Sequence, residues 1–410
     1  MIRPTKLLLA ACLIALACVV TACASSDSSG GSGTTGKVAS ATPPASGCGS
    51  LPLAKPNDPD GLVAKLPPEL QKLYQGYRYP VTKSEWSNWK PKHGPPYHVA
   101  LQWANLGSDF QIQLYRRIQS SLKKNPDIAS VTAQSTGANI DVGGQLAQTR
   151  SALQKKPDIL ILEQIQPDAF ESVVQEAAKA GIPVIVPIDS IKGAVNLNQN
   201  YYQGPGLAAS VAVRQLGGKG NLMMVHSIPG AGSDKDTFAG YEALLKNCPN
   251  VKNLGQVFGA FQNATAKAET LKFLATHPQK IDGVLEAGGM SVGVMQAFQQ
   301  SGRPMPLVQQ VSMLKGSAGY WREHRKDYIA AGMGFPIIDF ANNIATVTSK
   351  MLAGDGVQYS DLLGNMPTVT DANLDAWSEP GWNLNTPGSV LGPPKDSYLT
   401  AAQTNAYFAR

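Results

Sequence analysis

The side chains able to do chemistry are few and scattered. Five histidines, His93, His98, His226, His277 and His324, show no metal-ligand spacing. No G-x-S-x-G elbow presents a serine nucleophile, and no H-E-x-x-H pair presents a zinc site. No glycine fingerprint followed by an acid marks a dinucleotide site. Gly217-Gly218-Lys219-Gly220 has the glycines of a phosphate loop without its G-x-x-x-x-G-K-[ST] spacing, so it reads as a tight turn. The sequence offers no catalytic residue, metal site or cofactor, and the expectation is a protein that is not an enzyme.

The most specific local signal is at the amino end. Arg3 and Lys6 precede the apolar run Leu7–Val20, which is shorter than the ~20 residues that span a bilayer. Residues 1–22 therefore read as a secretory leader. Val20-Thr21-Ala22-Cys23 resembles a bacterial lipobox, which implies cleavage before Cys23 and lipid (palmitate) on that cysteine. A plain leader with a chance cysteine, or an uncleaved anchor, is the alternative. The expected location is the cell membrane, lipid-anchored on the extracytoplasmic face. Cys12 and Cys18 leave with the leader. That leaves Cys48 and Cys248, which could pair if their separation in space allows it.

Composition sets wider limits. The chain has 410 residues, 43% of them apolar and only 16% charged, enough for two ordinary cores plus linkers. The net charge of +6 includes Arg3 and Lys6 and comes without any Lys/Arg run, so nucleic acid is not an expected partner.

Residues 23–47 are almost all Ser, Gly, Thr, Ala and Pro, a flexible tether. Residues 48–96 form an N-terminal arm with a short proline-opened helix at 66–74. Its Trp86 and Trp89 either pack the arm on the body or stack on a ligand. From Tyr97 short apolar strands alternate with amphipathic helices. Phe110, Leu114, Ile118 and Leu122 mark one helix face, and Ile159-Leu160-Ile161-Leu162 is a strand buried on both faces. A second βα series starts at Asn221–Val225. The fold class is α/β: two lobes of open parallel sheet with helices on both faces. Ligands in such sheets sit at the carboxyl ends of the strands, so the site is expected between the lobes.

Several segments then resemble a known family. They are Lys155–Ile161, Ala177-Ala178-Lys179-Ala180-Gly181-Ile182-Pro183-Val184, Ser227–Gly230 with Phe238–Tyr241, and Ile281–Val284 with Met295–Phe298. In this order and spacing they are similar to the type I periplasmic-binding-protein-like solute receptors, the ribose-binding group that feeds ABC importers. The resemblance covers about 97 to 377. It implies a three-segment hinge near 198–201, 334–336 and 366–369. Lobe 1 would be 97–199 plus 336–366, and lobe 2 would be 200–335 plus 367–410.

The resemblance also nominates ligand-binding residues. Trp103, Asn105 and Phe110 follow the first strand, Glu163 the third and Asp189 the fourth. Asn200 matches half of an Asp-Asn pair whose aspartate is Gln199 here. His226 ends a strand that faces the cleft and serves either the ligand or the structure. Thr237 stands where the family carries an arginine, Ala287-Gly288 where it carries Asn-Asp, Ser312 or Met313 where it carries aspartate, and Gly334 where it carries glutamine. Trp103, Phe261, Tyr320 and Phe335 could form apolar walls. Four polar positions turned small or apolar favour a less polar or bulkier solute than ribose.

The expected function is a lipid-anchored substrate-binding protein of an ABC importer that closes by hinge motion on a sugar or sugar-like solute. Its partners would be the permease and its ATPase, and it would act as a monomer. A sensory receptor for a membrane signalling partner, or an importer receptor for a less polar non-sugar ligand, is the alternative. The effector domain of a transcription factor shares the fold, but the leader and the lack of a helix-turn-helix argue against it.

Overall fold

A computed structural model describes residues 47–408. The expected leader 1–22, the lipidation residue Cys23 and the tether up to residue 46 lie outside them. No helix among the described residues is long and apolar enough to cross a membrane.

The arm holds the short helix α1 (Pro68–Gln71). The first series runs β1 (Tyr97–Trp103), α2 (Asp109–Leu122), β2 (Ile128–Ser135), α3 (Val142–Gln154), β3 (Ile159–Leu162), α4 (Pro167–Lys179), β4 (Val184–Ile188) and β5 (Val195–Asn198). The second runs α5 (Gln203–Gln215), β6 (Lys219–His226), α6 (Gly232–Leu245), β7 (Asn250–Phe258), α7 (Asn263–Thr276), β8 (Gly283–Glu286), α8 (Ser291–Gln300), β9 (Leu307–Val311), α9 (Lys315–Glu323) and β10 (Ala331–Met333). Then come α10 (Ile337–Leu352), β11 (Asp361–Leu363), β12 (Thr368–Val369) and α11 (Ala401–Ala406).

Two six-stranded sheets result, ordered β11-β5-β4-β3-β1-β2 and β12-β10-β9-β8-β6-β7. Every pairing is parallel except β10 with β12. The two orders are the same pattern used twice. The elements obey local rules. Ser108 caps α2 by accepting from Gln111 N, and Asp141 caps α3 by accepting from Gly144 N. Pro167 opens α4 at its first turn. Gly181 takes φ 70° just past the end of α4, the left-handed conformation in which helices commonly stop. All four residues of β3 are fully buried.

The chain passes between the sheets three times at the hinge: from β5 to α5, from β10 to α10 and from β11 to β12. Two further passages lie outside it. The tail after β12 first packs in the second core through Leu374, Trp377, Leu384 and Val390. It then returns to the first core through Tyr398, Tyr407 and Phe408. Assigning all of 367–410 to lobe 2 is therefore corrected. The Tyr398 hydroxyl donates to Asn198 O at 2.7 Å and that of Tyr407 to Leu363 O at 2.8 Å, which fixes the tail end on the first sheet.

The arm makes the other passage. Cys48 is bonded to Cys248, just beyond α6. Arg214 of α5 donates to Gly49 O, and Tyr202 donates to Pro52 O. Further along, Val63, Leu70, Tyr74 and Val81 are buried in the first core. Tyr77 donates to the Asp361 carboxylate at 2.8 Å. The Trp86 and Trp89 indoles donate to Gly193 O and Gly181 O, so both tryptophans dock the arm on the body.

The Cys48–Cys248 bond links residues 200 apart in sequence, and closing so long a loop removes much unfolded-state entropy. Replacing both cysteines by alanine is expected to cost roughly 2–5 kcal/mol. Urea unfolding of the oxidised chain and of the variant measures it; equal midpoints would show that the bond adds no stability.

Candidate functional site

Between the lobes lies a cavity of about 500 Å³, within the range that holds small solutes. Its floor is made of loops at the carboxyl ends of the strands. The first lobe supplies Ser108, Phe110 and Gln111 after β1, Glu163 and Gln164 after β3, and Asp189 after β4. The second supplies Ser233 in the first turn of α6, Phe261 to Ala264 after β7, Ala287 to Gly289 after β8, and Ser312 and Leu314 after β9. Tyr201 reaches it from the hinge, and residues 384–389 of the tail close another side. Beside it Ala104 and Ile165 of the first lobe pack on Ala231, Ile228 and Phe261 of the second.

These loops are strained. Ile188, Ala260, Phe261 and Ser312 hold φ of 77°, 55°, 55° and 49°, a region that non-glycine residues adopt rarely and β-branched ones least of all. Three of the four line the cavity. Such strain is retained where surrounding structure over-determines the loop.

Each lobe buries a glutamate at the end of its third strand. Glu163 accepts from Ala104 N at 3.0 Å and from Gln111 Nε2 at 3.2 Å. Glu286 accepts from Met290 N at 2.7 Å and from Val311 N at 3.2 Å. Each carboxylate thus ties together the loops that floor the cavity. Asp189 accepts from Ser190 N and from the Tyr79 hydroxyl of the arm. Burial pushes Glu163 and Asp189 up to about 7 and Glu286 up to about 8. The lining among the described residues carries Asp109, Glu163 and Asp189 and no lysine, arginine or histidine. An anionic solute would find no cation in this lining to meet it. No cluster of three His, Cys, Asp or Glu arranged to hold a metal occurs among the described residues.

The nominated residues divide. Phe110, Glu163 and Asp189 come together at the cavity, with Phe261 as an apolar wall. The others are placed elsewhere. Trp103 is wholly buried and donates to Gln111 Oε1 at 2.6 Å. Asn105 turns back to accept from Gly107 N. Asn200 donates to Leu73 O and Gln75 O, so it holds the arm at the hinge. His226 hydrogen-bonds the Asp234 carboxylate at 2.8 Å and stacks on Phe238. Thr237 is buried within α6. Phe335 lies behind Phe110, edge-on to it at 4.9 Å. Tyr320 stacks on His324 away from the cavity. At Gly334 a Cβ would come within 2.4 Å of the Trp377 ring, so the indole occupies the room of a side chain there. Sequence reasoning missed Gln164, Glu286 and the tail segment. Glu286 had one usable signal, its place at the end of the second lobe's third strand.

Unfolded, these glutamates titrate near ~4.3 and the aspartate near ~3.9. Between about pH 4.5 and 8 the folded chain binds more protons than the unfolded one, so stability falls as pH rises. The solute-free chain is expected to melt lower at about pH 8 than at about pH 5.5, and Glu286→Gln is expected to flatten the difference. Calorimetric melting across that range checks it; a profile that rises with pH would show these carboxylates ionised in the fold.

Comparison with known proteins agrees with this geometry. The family model described as periplasmic binding protein domain matches residues 99–355. A xylitol-binding protein of Mycolicibacterium smegmatis is 22% identical over 242 residues, covering 58% of this chain and 68% of that protein. Among solved structures, a solute-binding protein of an ABC transporter from Thermobispora bispora superposes with a TM-score of 0.61 at 24% identity, covering 68% of this chain and 87% of that one. One from Mycobacterium smegmatis with bound glycerol gives a TM-score of 0.62 at 18% identity, covering 70% and 98%. One from Bacillus halodurans with bound myo-inositol gives 0.61 at 16% identity, covering 69% and 98%. With that match spanning more than half the sequence, over two facing lobes of the same strand order, the chain belongs to the periplasmic binding protein family of type I solute receptors.

Proposed function

We propose that the chain is the solute receptor of an ABC importer and captures a neutral, hydroxyl-rich small molecule, a polyol or sugar, in the interlobe cavity. The observation that carries this reading is the cavity itself: both lobes contribute strand-end loops, and its charged lining is acidic only. Buried carboxylates and amides can pair with hydroxyls, while Phe110, Phe261 and Tyr201 offer faces for carbon-bound hydrogens. The names of relatives, which include xylitol, glycerol and myo-inositol, support the same class. Binding favours the closed arrangement of the lobes, because only there do both sets of loops touch the solute. The receptor does no chemistry and releases its solute unchanged to a permease. The lobes are proposed to hinge at the three passages near 198–201, 334–336 and 366–369.

The lipobox-like Val20-Thr21-Ala22-Cys23 supports anchoring through a lipidated Cys23 on the extracytoplasmic face. One acyl chain binds a membrane only marginally, so stable anchoring takes more than one.

Two outcomes are expected. In a melting screen of the full chain against xylitol, myo-inositol, D-allose, nucleosides and small aromatics, a polyol or sugar raises the melting temperature. At a hundredfold excess over Kd the stabilisation is about 2.7 kcal/mol. A shift with nucleosides or aromatics and with no polyol or sugar would overturn the solute class. Separately, Cys23→Ala moves the chain from the membrane fraction to the soluble one; unchanged membrane retention would remove the lipid anchor from the proposal.

A further inference from the structure

The family match ends at residue 355, yet one wall of the cavity comes from beyond it, at 384–389. This segment is held by both lobes. On the second, α9 presents Gly316 and Gly319. A Cβ at Gly319 would lie 2.5 Å from the Trp382 carbonyl carbon, and one at Gly316 would lie 2.7 Å from Leu384 O. The bare glycines let the tail backbone lie directly on the helix. Lys315 N then donates to Gly388 O, and Val390 N to Met313 O, each at 2.9 Å. On the first lobe, the Asp109 carboxylate accepts from Ser389 N at 2.7 Å.

The segment so fixed places an uncharged polar side chain in the wall. Ser389 is 2% exposed, and its Oγ has no hydrogen-bond partner among the described residues. Gln164, from the loop after β3, lines the same cavity at 2% exposure, and neither atom of its amide has a partner. Buried polar groups are almost always paired, because an unpaired one loses its water and gains nothing. Two such groups, on residues that line one cavity and each both donor and acceptor, match the character of a solute hydroxyl, which also donates and accepts.

We propose that the tail segment 384–389 is a third wall of the solute site, and that the side chains of Ser389 and Gln164 hydrogen-bond the bound solute. The proposal rests on the reading of the cavity as a polyol or sugar site. It makes the tail, outside the family's matched region, a determinant of which solute is accepted.

The test combines binding and stability on the full chain. Xylitol, myo-inositol and D-allose are titrated calorimetrically into wild type, Ser389→Ala, Gln164→Leu and Gly319→Ala. Ser389→Ala and Gln164→Leu each weaken binding about tenfold. Without solute they melt at or above the wild-type temperature, because a group without a partner is removed. Gly319→Ala, which touches no solute, also weakens binding by displacing the wall. Affinities within about twofold of wild type for both side-chain variants, or a fall in solute-free melting temperature for both, overturn the proposal. If none of the three probes binds wild type, that result counts against the solute reading, and the wall is judged separately. Ser389→Cys is then treated with hydroxyethyl methanethiosulfonate without solute, against wild type as background. Modification at position 389 supports a cavity-facing wall; an unreactive thiol overturns it.

Discussion

A parallel sheet cannot turn straight back on itself. Each strand must return through a crossover, so every strand ends, and every following helix begins, at the same edge. That constraint acts twice here, on two sheets with the same order of strands. It delivers to each lobe an edge rich in loops, helix starts and backbone groups that no ladder satisfies. Where the two edges meet, the cavity forms. The left-handed residues Ile188, Phe261 and Ser312 lie on it because the chain must turn sharply as it leaves a strand.

The loops at such an edge need internal partners, and each lobe uses one buried glutamate. Glu163 and Glu286 end equivalent strands and accept from backbone amides of neighbouring loops. Burial opposes their ionisation while these hydrogen bonds favour it, and burial is the larger effect. The cleft edge is therefore held by groups whose charge state is finely balanced. Asp189 adds a third such group, joined to the arm through Tyr79.

The arm and tail wrap this shared architecture. The arm is bonded to the second lobe at Cys248 and packed on the first through Tyr74, Tyr77 and Trp86. Arg78 pairs with Asp236 of α6 at 3.1 Å, next to Tyr79 on Asp189. The tail likewise runs from the second core, past the cavity, to the first. Both run outside the three hinge passages, so any opening of the lobes must stretch or slide these contacts as well as bend the hinge.

The α/β class, the order of elements and the family were legible in the residues from 97 on. Strand and helix periodicity and runs such as Ile159–Leu162 are local signals, and local physics reads them. Phe110, Glu163 and Asp189 could be placed at the cavity because the family resemblance nominated them after strands whose carboxyl ends face the other lobe. Trp103, Asn200 and His226 sit near strand ends too, and only their partners show that they hold the core, the arm and α6. The sequence left the pairing of Cys48 with Cys248 open, and the wall formed by 384–389 was beyond it. Each joins segments far apart along the chain, and their meeting is decided by tertiary packing, which no spacing of residues encodes.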